Sequence, residues 1–111
     1  MNTKELADIF QIDYIPLNIH GVDSVAFSHQ YVFRMLDVLQ AEVIPVLGGD
    51  VYIQNNGIIY STYDNWNTIR AKNESLNEFA MNSCRRSINY INRYIATNLP
   101  LKEYILFDLV I

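Results

Sequence analysis

The 111-residue sequence predicts a small α+β domain, in which about three helices pack on a small antiparallel or mixed sheet. The sheet is expected to contain a central β-hairpin and a C-terminal strand. Two apolar runs flank a turn sequence in the middle of the chain, and a run of β-branched and aromatic residues lies at its C-terminus. Two long segments carry apolar residues at helical spacing. Half of the residues are hydrophobic, which is enough for a core, and we expect residues 1–111 to form one domain.

The first helix is expected over residues 3–10, where Leu6, Ile9 and Phe10 stand at helical spacing. Asn2 or Thr3 would cap it. An extended connection should follow, because Pro16 disfavours helix in the residue before it and Gly21 closes the segment.

A second helix is expected to begin after Asp23 or Ser24, since both side chains are good N-caps. Pro45 would end it. Its apolar stripe is wide enough for a helix lying across a sheet and consists of Val25, Val32, Leu36, Leu39 and Val43.

The hairpin is the clearest local feature, with strands predicted near 50–54 and 58–63. Asn56 and Gly57 lie between them, and both residue types adopt the positive φ that tight hairpin turns require. Gly48-Gly49 is predicted to be the turn that leads into the first strand, and residues 64–73 are predicted to be a polar linker.

A third helix is expected over about residues 74–96, because its apolar residues repeat at three- and four-residue steps. Ser75 and Glu78 have capping-box spacing, although Asn73 is an equally good cap. Pro100 follows the end of the pattern, as it often does after a helix.

The final segment, EYILFDLVI at 103–111, is predicted to be a strand. It is largely apolar on both faces, which is typical of a strand inside a sheet, so we place it beside the hairpin. Leu106 and Val110 lie on its second face, where they could instead join two copies of the chain in an assembly module.

Charge and cysteine content limit the classes of function. Residues 1–55 carry two basic and seven acidic side chains, which disfavours nucleic acid and suits a basic protein partner. The lone Cys84 favours a reducing compartment. No apolar run is long enough for a signal peptide or a membrane span, so we expect a cytoplasmic protein that does not bind membranes.

The sequence offers little for catalysis, metal binding or cofactor binding, and we predict none of these sites. Cys84 with His20 or His29 could form a thiol–imidazole pair, but Cys84 falls on an apolar helix stripe. Two histidines and one cysteine match no metal-ligand spacing. Gly48-Gly49-Asp50 could form an anion nest, but no helix follows it as in phosphate-binding motifs. The arginines of the third helix are expected to form a solvated face.

Aromatic residues concentrate in and beside the hairpin, where Tyr52, Tyr60, Tyr63 and Trp66 lie. Such side chains either cover the edge of the core or supply a large, fairly rigid contact surface with a polar group at its end. Both interpretations remain open from the sequence.

The same stretch contains three short motifs in order, which are Gly48-Gly49-Asp50-Val51-Tyr52, Gly57 and Tyr63-Asp64-Asn65-Trp66. In these motifs it resembles the immunity protein 40 family of bacterial polymorphic toxin systems. It implies an α+β cytoplasmic protein that binds and neutralises a cognate toxin and performs no chemistry of its own. These matched positions would then hold the fold or contact the toxin.

We therefore predict a partner-binding surface that consists of Asp50, Tyr52, Tyr63, Asp64, Asn65 and Trp66. The protein is expected to be a monomer or a weak homodimer. The alternative is a small ligand-binding domain or enzyme whose pocket lies near Asp50, Asp64 and Trp66, since two carboxylates can do acid–base work if their environments separate their pKa values.

Overall fold

The computed structural model describes residues 1–18 and 24–111 and confirms a small α+β fold. Within these residues the helices are α1 (Thr3–Phe10), α2 (His29–Ala41) and α3 (Leu76–Thr97), with a 3-10 helix at Leu99–Tyr104. The strands are β1 (Ile15–Pro16), β2 (Val25–Ser28), β3 (Gly48–Asn55), β4 (Ile58–Asn67) and β5 (Ile105–Phe107). They form one antiparallel sheet in the order β1-β2-β5-β3-β4, which places β4 at an edge.

The second helix begins at His29, so the prediction that it starts after residue 23 or 24 is wrong for the described residues. Val25, Ala26 and Phe27 are all buried in β2, which pairs with β1 on one side and β5 on the other. A run that is apolar on both faces gains more burial inside a sheet than on one helix face. Asp23, proposed as a cap, lies outside the described residues, as do His20 and Gly21.

The predicted hairpin is confirmed, and its strands are longer than expected. Asn55 pairs with Ile58, and Asn56 and Gly57 have φ of 52° and 78°, which fits a two-residue hairpin turn. Gly48 and Gly49 belong to β3 rather than to an entry turn, and residues 64–67 belong to β4 rather than to a linker. The reason lies in tertiary packing, because Gly49 pairs with Trp66 and has no side chain to obstruct the indole.

Helix α3 starts where the capping box places it. Ser75 Oγ accepts from the amide of Glu78 at 3.1 Å, and Glu78 Oε1 accepts from the amide of Ser75 at 3.2 Å. Asn73 is therefore not the cap. The helix continues to Thr97, and the 3-10 helix begins one residue later, after Asn98.

The C-terminal strand lies inside the sheet, between β2 and β3, as predicted. It is shorter than expected, since residues 99–104 form the 3-10 helix and only Ile105–Phe107 form the strand. All three residues pair with β3, and Leu106 and Phe107 also pair with β2. Beyond it, the chain continues along β3, and the Val110 amide donates to the carbonyl of Gly48 at 2.8 Å.

The main core lies between the sheet and the helices α2 and α3. Its largest fully buried side chains include Phe27, Phe107, Met35, Leu36 and Ile91. A smaller cluster lies on the other face of the sheet, around Leu17, Ala26 and Leu106. Of the two residues that could join two copies of the chain, Leu106 is 4% exposed and offers no surface, whereas Val110 is 46% exposed. No helix in residues 1–18 and 24–111 is long and apolar enough to cross a membrane.

Candidate partner-binding surface

Trp66 occupies the core rather than the surface. Its side chain is 7% exposed, and the indole Nε1 donates to Ser87 Oγ of α3 at 3.0 Å. The ring stacks on Tyr90 with centroids 4.8 Å apart and meets the edge of Phe107 at 6.4 Å. Of the two interpretations left open by the sequence, core packing is the one that the position of Trp66 supports.

Next to Trp66, β4 contains an irregularity that the sequence did not reveal. Asp50 pairs with Asn65, and Tyr52 pairs with Ser61. One residue of β3, Val51, therefore lies opposite residues 62–64, which we call the β4 bulge. Such bulges bend the strand and redirect its side chains.

Hydroxyl groups hold the β4 bulge in place. Thr62 Oγ1 donates to the carbonyl of Val51 at 2.9 Å and accepts from the amide of Asp64 at 3.1 Å. Ser61 Oγ accepts from the amide of Tyr63 at 3.1 Å. The amides of both Tyr63 and Asp64 are thus bound by side chains of the same strand.

Tyr63 lies at the centre of the β4 bulge in an unusual conformation. Its φ is 63°, in the left-handed region that costs a residue with a Cβ about 1–2 kcal/mol. Its side chain is 88% exposed, so burial of the ring does not offset this cost. Strained backbone of this kind persists only where surrounding contacts fix it, and it concentrates at functional sites.

Asp64 faces helix α3. Its Oδ2 accepts a hydrogen bond from the Tyr94 hydroxyl at 2.7 Å. The two residues line an open cleft of about 320 Å³ together with Tyr90 and Arg93. Burial raises the pKa of both tyrosines, and the nearby Asp64 carboxylate adds to the rise, so both phenols stay protonated at neutral pH.

Asp50 and Tyr52 lie on the other face of the sheet, beside Asp108. The Asp50 amide donates to Asp108 Oδ1 at 2.5 Å, and the Asp108 amide donates to the Asp50 carbonyl at 3.0 Å. Burial raises the pKa of Asp108 to about 7; the hydrogen bond from the Asp50 amide opposes the rise, and the Asp50 carboxylate adds to it. Burial and the two carboxylates raise the pKa of Tyr52 to about 12.

The six predicted site residues are therefore not one cluster. Tyr63 is exposed at the β4 bulge, and Asp64 faces the cleft at α3. Asn65 is exposed on the face of the sheet that it shares with its pairing partner Asp50. Asp50 and Tyr52 lie across the sheet, and Trp66 is buried. The structure does not bring together Asp50, Asp64 and Trp66 as the ligand-pocket alternative required.

Three residues that contact this region were not singled out from the sequence. Tyr90 and Tyr94 are four residues apart on α3, and this spacing alone places them on one helix face. Asp108 is the one acidic residue within an otherwise apolar run, a pattern that indicates a buried carboxyl. Both signals are present in the sequence.

Cys84 and His29, which the sequence offered as a thiol–imidazole pair, each contact other residues of the fold. Cys84 is buried, its Sγ lies 3.5 Å from the carbonyl oxygen of Leu36, and burial raises the pKa of its thiol. The imidazole Nε2 of His29 lies 3.2 Å from both carboxylate oxygens of Glu103, so His29 is engaged there. In the part of the chain that the structure describes, no group of three or more His, Cys, Asp or Glu residues could hold a metal ion.

Comparison with known proteins identifies a family for this chain. The family model of immunity protein 40 matches residues 16–111, which includes β2 to β5, α2 and α3. Neither the curated proteins nor the solved structures yielded a match to this chain. Because the matched segment covers most of the chain and contains every residue of the surface described above, the chain belongs to the immunity protein 40 family.

Proposed function

We propose that this protein binds and neutralises a cognate toxin domain in the bacterial cytoplasm and performs no chemistry itself. The observation that carries the proposal is the family match over residues 16–111. Neutralisation would result from occlusion of the toxin's active site or of a surface beside it.

The exposed part of β4 is the surface that we assign to the toxin. It is an edge strand, so partner access is not blocked by a neighbouring strand. Tyr60 and Tyr63 are both more than half exposed, and Asn65 is exposed on the same strand, on the face that it shares with its pairing partner Asp50. Tyrosines supply large contact area at little conformational cost, which is why they are frequent at the centres of protein interfaces.

Charge supports the same assignment. The chain has a net charge of −4, and Asp64 adds a carboxylate next to the exposed tyrosines. A basic toxin surface would be attracted by this field and would associate faster. Asp50 and Tyr52 lie across the sheet, so we propose that they contact the toxin only where it extends around the β4 edge.

Co-expression tests the proposal directly. The C-terminal domain of the protein encoded by the neighbouring gene should stop growth when produced alone, and this protein should restore growth and co-purify with it. A protein from an unrelated toxin pair is the control. Failure to restore growth or to co-purify would exclude the proposed function.

A ligand-binding function would use the cleft formed by Asp64, Tyr90, Arg93 and Tyr94. It combines a carboxylate and a guanidinium group with aromatic walls, a combination suited to a small zwitterion. Native mass spectrometry of the purified protein tests this alternative. A bound small molecule that is lost in Asp64→Ala would favour it, and an unliganded mass would count against it.

A further inference from the structure

The β4 bulge places the aromatic side chain of Tyr63 in solvent, on a backbone conformation that is unfavourable for a residue with a Cβ. Tyr63 has a φ of 63° and an 88% exposed side chain. Hydrogen bonds within the sheet fix this conformation. The amide of Tyr63 donates to Ser61 Oγ, and the amide of Asp64 donates to Thr62 Oγ1. Thr62 Oγ1 in turn donates to the Val51 carbonyl on β3. The bond between Tyr94 and Asp64 fixes it from the side of α3.

The same hydrogen bonds affect how β4 can be recognised. A partner strand that pairs with an edge needs free backbone amides on that edge. Within the β4 bulge, the amides of Tyr63 and Asp64 are already bound by hydroxyls of their own strand. Strand addition is therefore disfavoured at the bulge, and side chains must make the contact there.

We propose that Tyr63 is a pre-ordered anchor that inserts into a pocket on the toxin domain, an inference that rests on the proposed function. The pocket would have apolar walls for the ring and a polar group for the phenol oxygen. Lysine or arginine side chains at its rim would face the carboxylate of Asp64, the residue that follows the anchor in β4. Because the ring is already held away from the sheet, binding requires little further ordering of the segment.

Tyr60 provides a comparison within the same strand. It is 54% exposed and pairs regularly with Ile53, outside the β4 bulge. It lacks the positive φ and the hydroxyl bonds that fix Tyr63. If exposed aromatic area alone determined affinity, the two tyrosines would contribute similarly, whereas an anchor at Tyr63 would contribute far more.

The variants Tyr63→Gly and Tyr63→Asn test the anchor without straining the fold. Both new residues accept a positive φ, so melting temperatures should stay equal to that of the wild type or rise. Binding to an inactivated toxin domain should weaken at least about 30-fold by calorimetry, as for a residue at the centre of an interface. Tyr60→Ala is the control and should change the dissociation constant less than about fivefold.

The outcomes separate the two proposals. If the wild-type protein fails to bind the toxin domain, the proposed function is wrong. If the wild type binds and Tyr63→Gly binds within about twofold of it, the anchor is wrong while the function stands. Light scattering adds a third outcome, because a dimer that Tyr63→Gly dissociates would show that a second copy of this chain, not the toxin, occupies the surface.

Discussion

Gly49 and Trp66 are paired residues on β3 and β4, and the indole ring occupies the space that a Cβ on Gly49 would need. The carbonyl oxygen of Asp108 obstructs the same space from the backbone of the neighbouring segment. The absence of a side chain at Gly49 thus allows the indole to lie against the sheet. Packing rather than turn formation explains this glycine.

Gly49→Ala should destabilise the protein by about 3 kcal/mol, since neither the ring nor the backbone carbonyl can move without disturbing the core. Gly57→Asn is the matched control. It has open space around it and a φ of 78° that asparagine tolerates, so it should cost less than about 1 kcal/mol. Urea unfolding of both variants measures the difference, and equal losses would contradict the packing explanation.

The bond from Trp66 to Ser87 gives a second prediction. Ser87→Ala should cost about 1–3 kcal/mol, because it leaves the buried indole N–H without its acceptor. In a Trp66→Phe background the same change should cost less, since no indole donor remains. A double-mutant cycle in urea measures the coupling. Additive losses would show that the hydrogen bond does not contribute to stability.

Local signals in the sequence were sufficient for the elements that depend on near neighbours. Asn56 and Gly57 indicated the hairpin because the turn needs their positive φ, and Ser75 with Glu78 indicated the start of α3. Residues 25–28 were misassigned because the same apolar run suits a helix stripe or a buried strand. Only pairing with β5, about 80 residues later in the chain, decides between them.

The surface was harder to predict because it also depends on contacts between residues that are distant in the sequence. The neighbours of Trp66 are polar, which suggested a linker, whereas its burial depends on Ser87 and Tyr90 of α3. The conformation of Tyr63 depends on a register shift between two strands, and such a shift has no local sequence pattern. Sequence reasoning therefore identified the relevant stretch but could not separate its core residues from its exposed ones.

The Asp108 carboxyl should make stability depend on pH. Its pKa is raised to about 7, above the value of about 3.9 for an unfolded chain, chiefly by burial. The folded state then holds a proton that the unfolded state has lost, so this stabilisation is complete below about pH 4 and disappears as the pH rises through 7.

Asp108→Asn should accordingly be more stable than the wild type at pH 8, by about 1–2 kcal/mol after allowance for solvent screening, and should lose this advantage at pH 4. The asparagine oxygen can still accept from the Asp50 amide. Asp50→Asn removes the neighbouring carboxylate and should reduce the pH dependence of the wild type. Urea unfolding across this range is the measurement, and an equal difference at all pH values would refute the assignment.

Asp64 should influence association with the toxin through charge. Asp64→Asn removes the carboxylate but leaves an oxygen for the Tyr94 hydroxyl, so the fold should be unaffected. Association should slow by about three- to tenfold at 50 mM salt, and this difference should nearly vanish at 500 mM, where the Debye length falls to about 4 Å. Tyr94→Phe is the control for the salt dependence, because it breaks the hydrogen bond that helps to fix the β4 bulge and keeps the charge. Any change that it causes in the association rate should be the same at both salt concentrations. Association rates are measured by stopped flow at both salt concentrations. If the effect of Asp64→Asn on the rate is the same at both, Asp64 acts through a short-range contact and not through long-range charge.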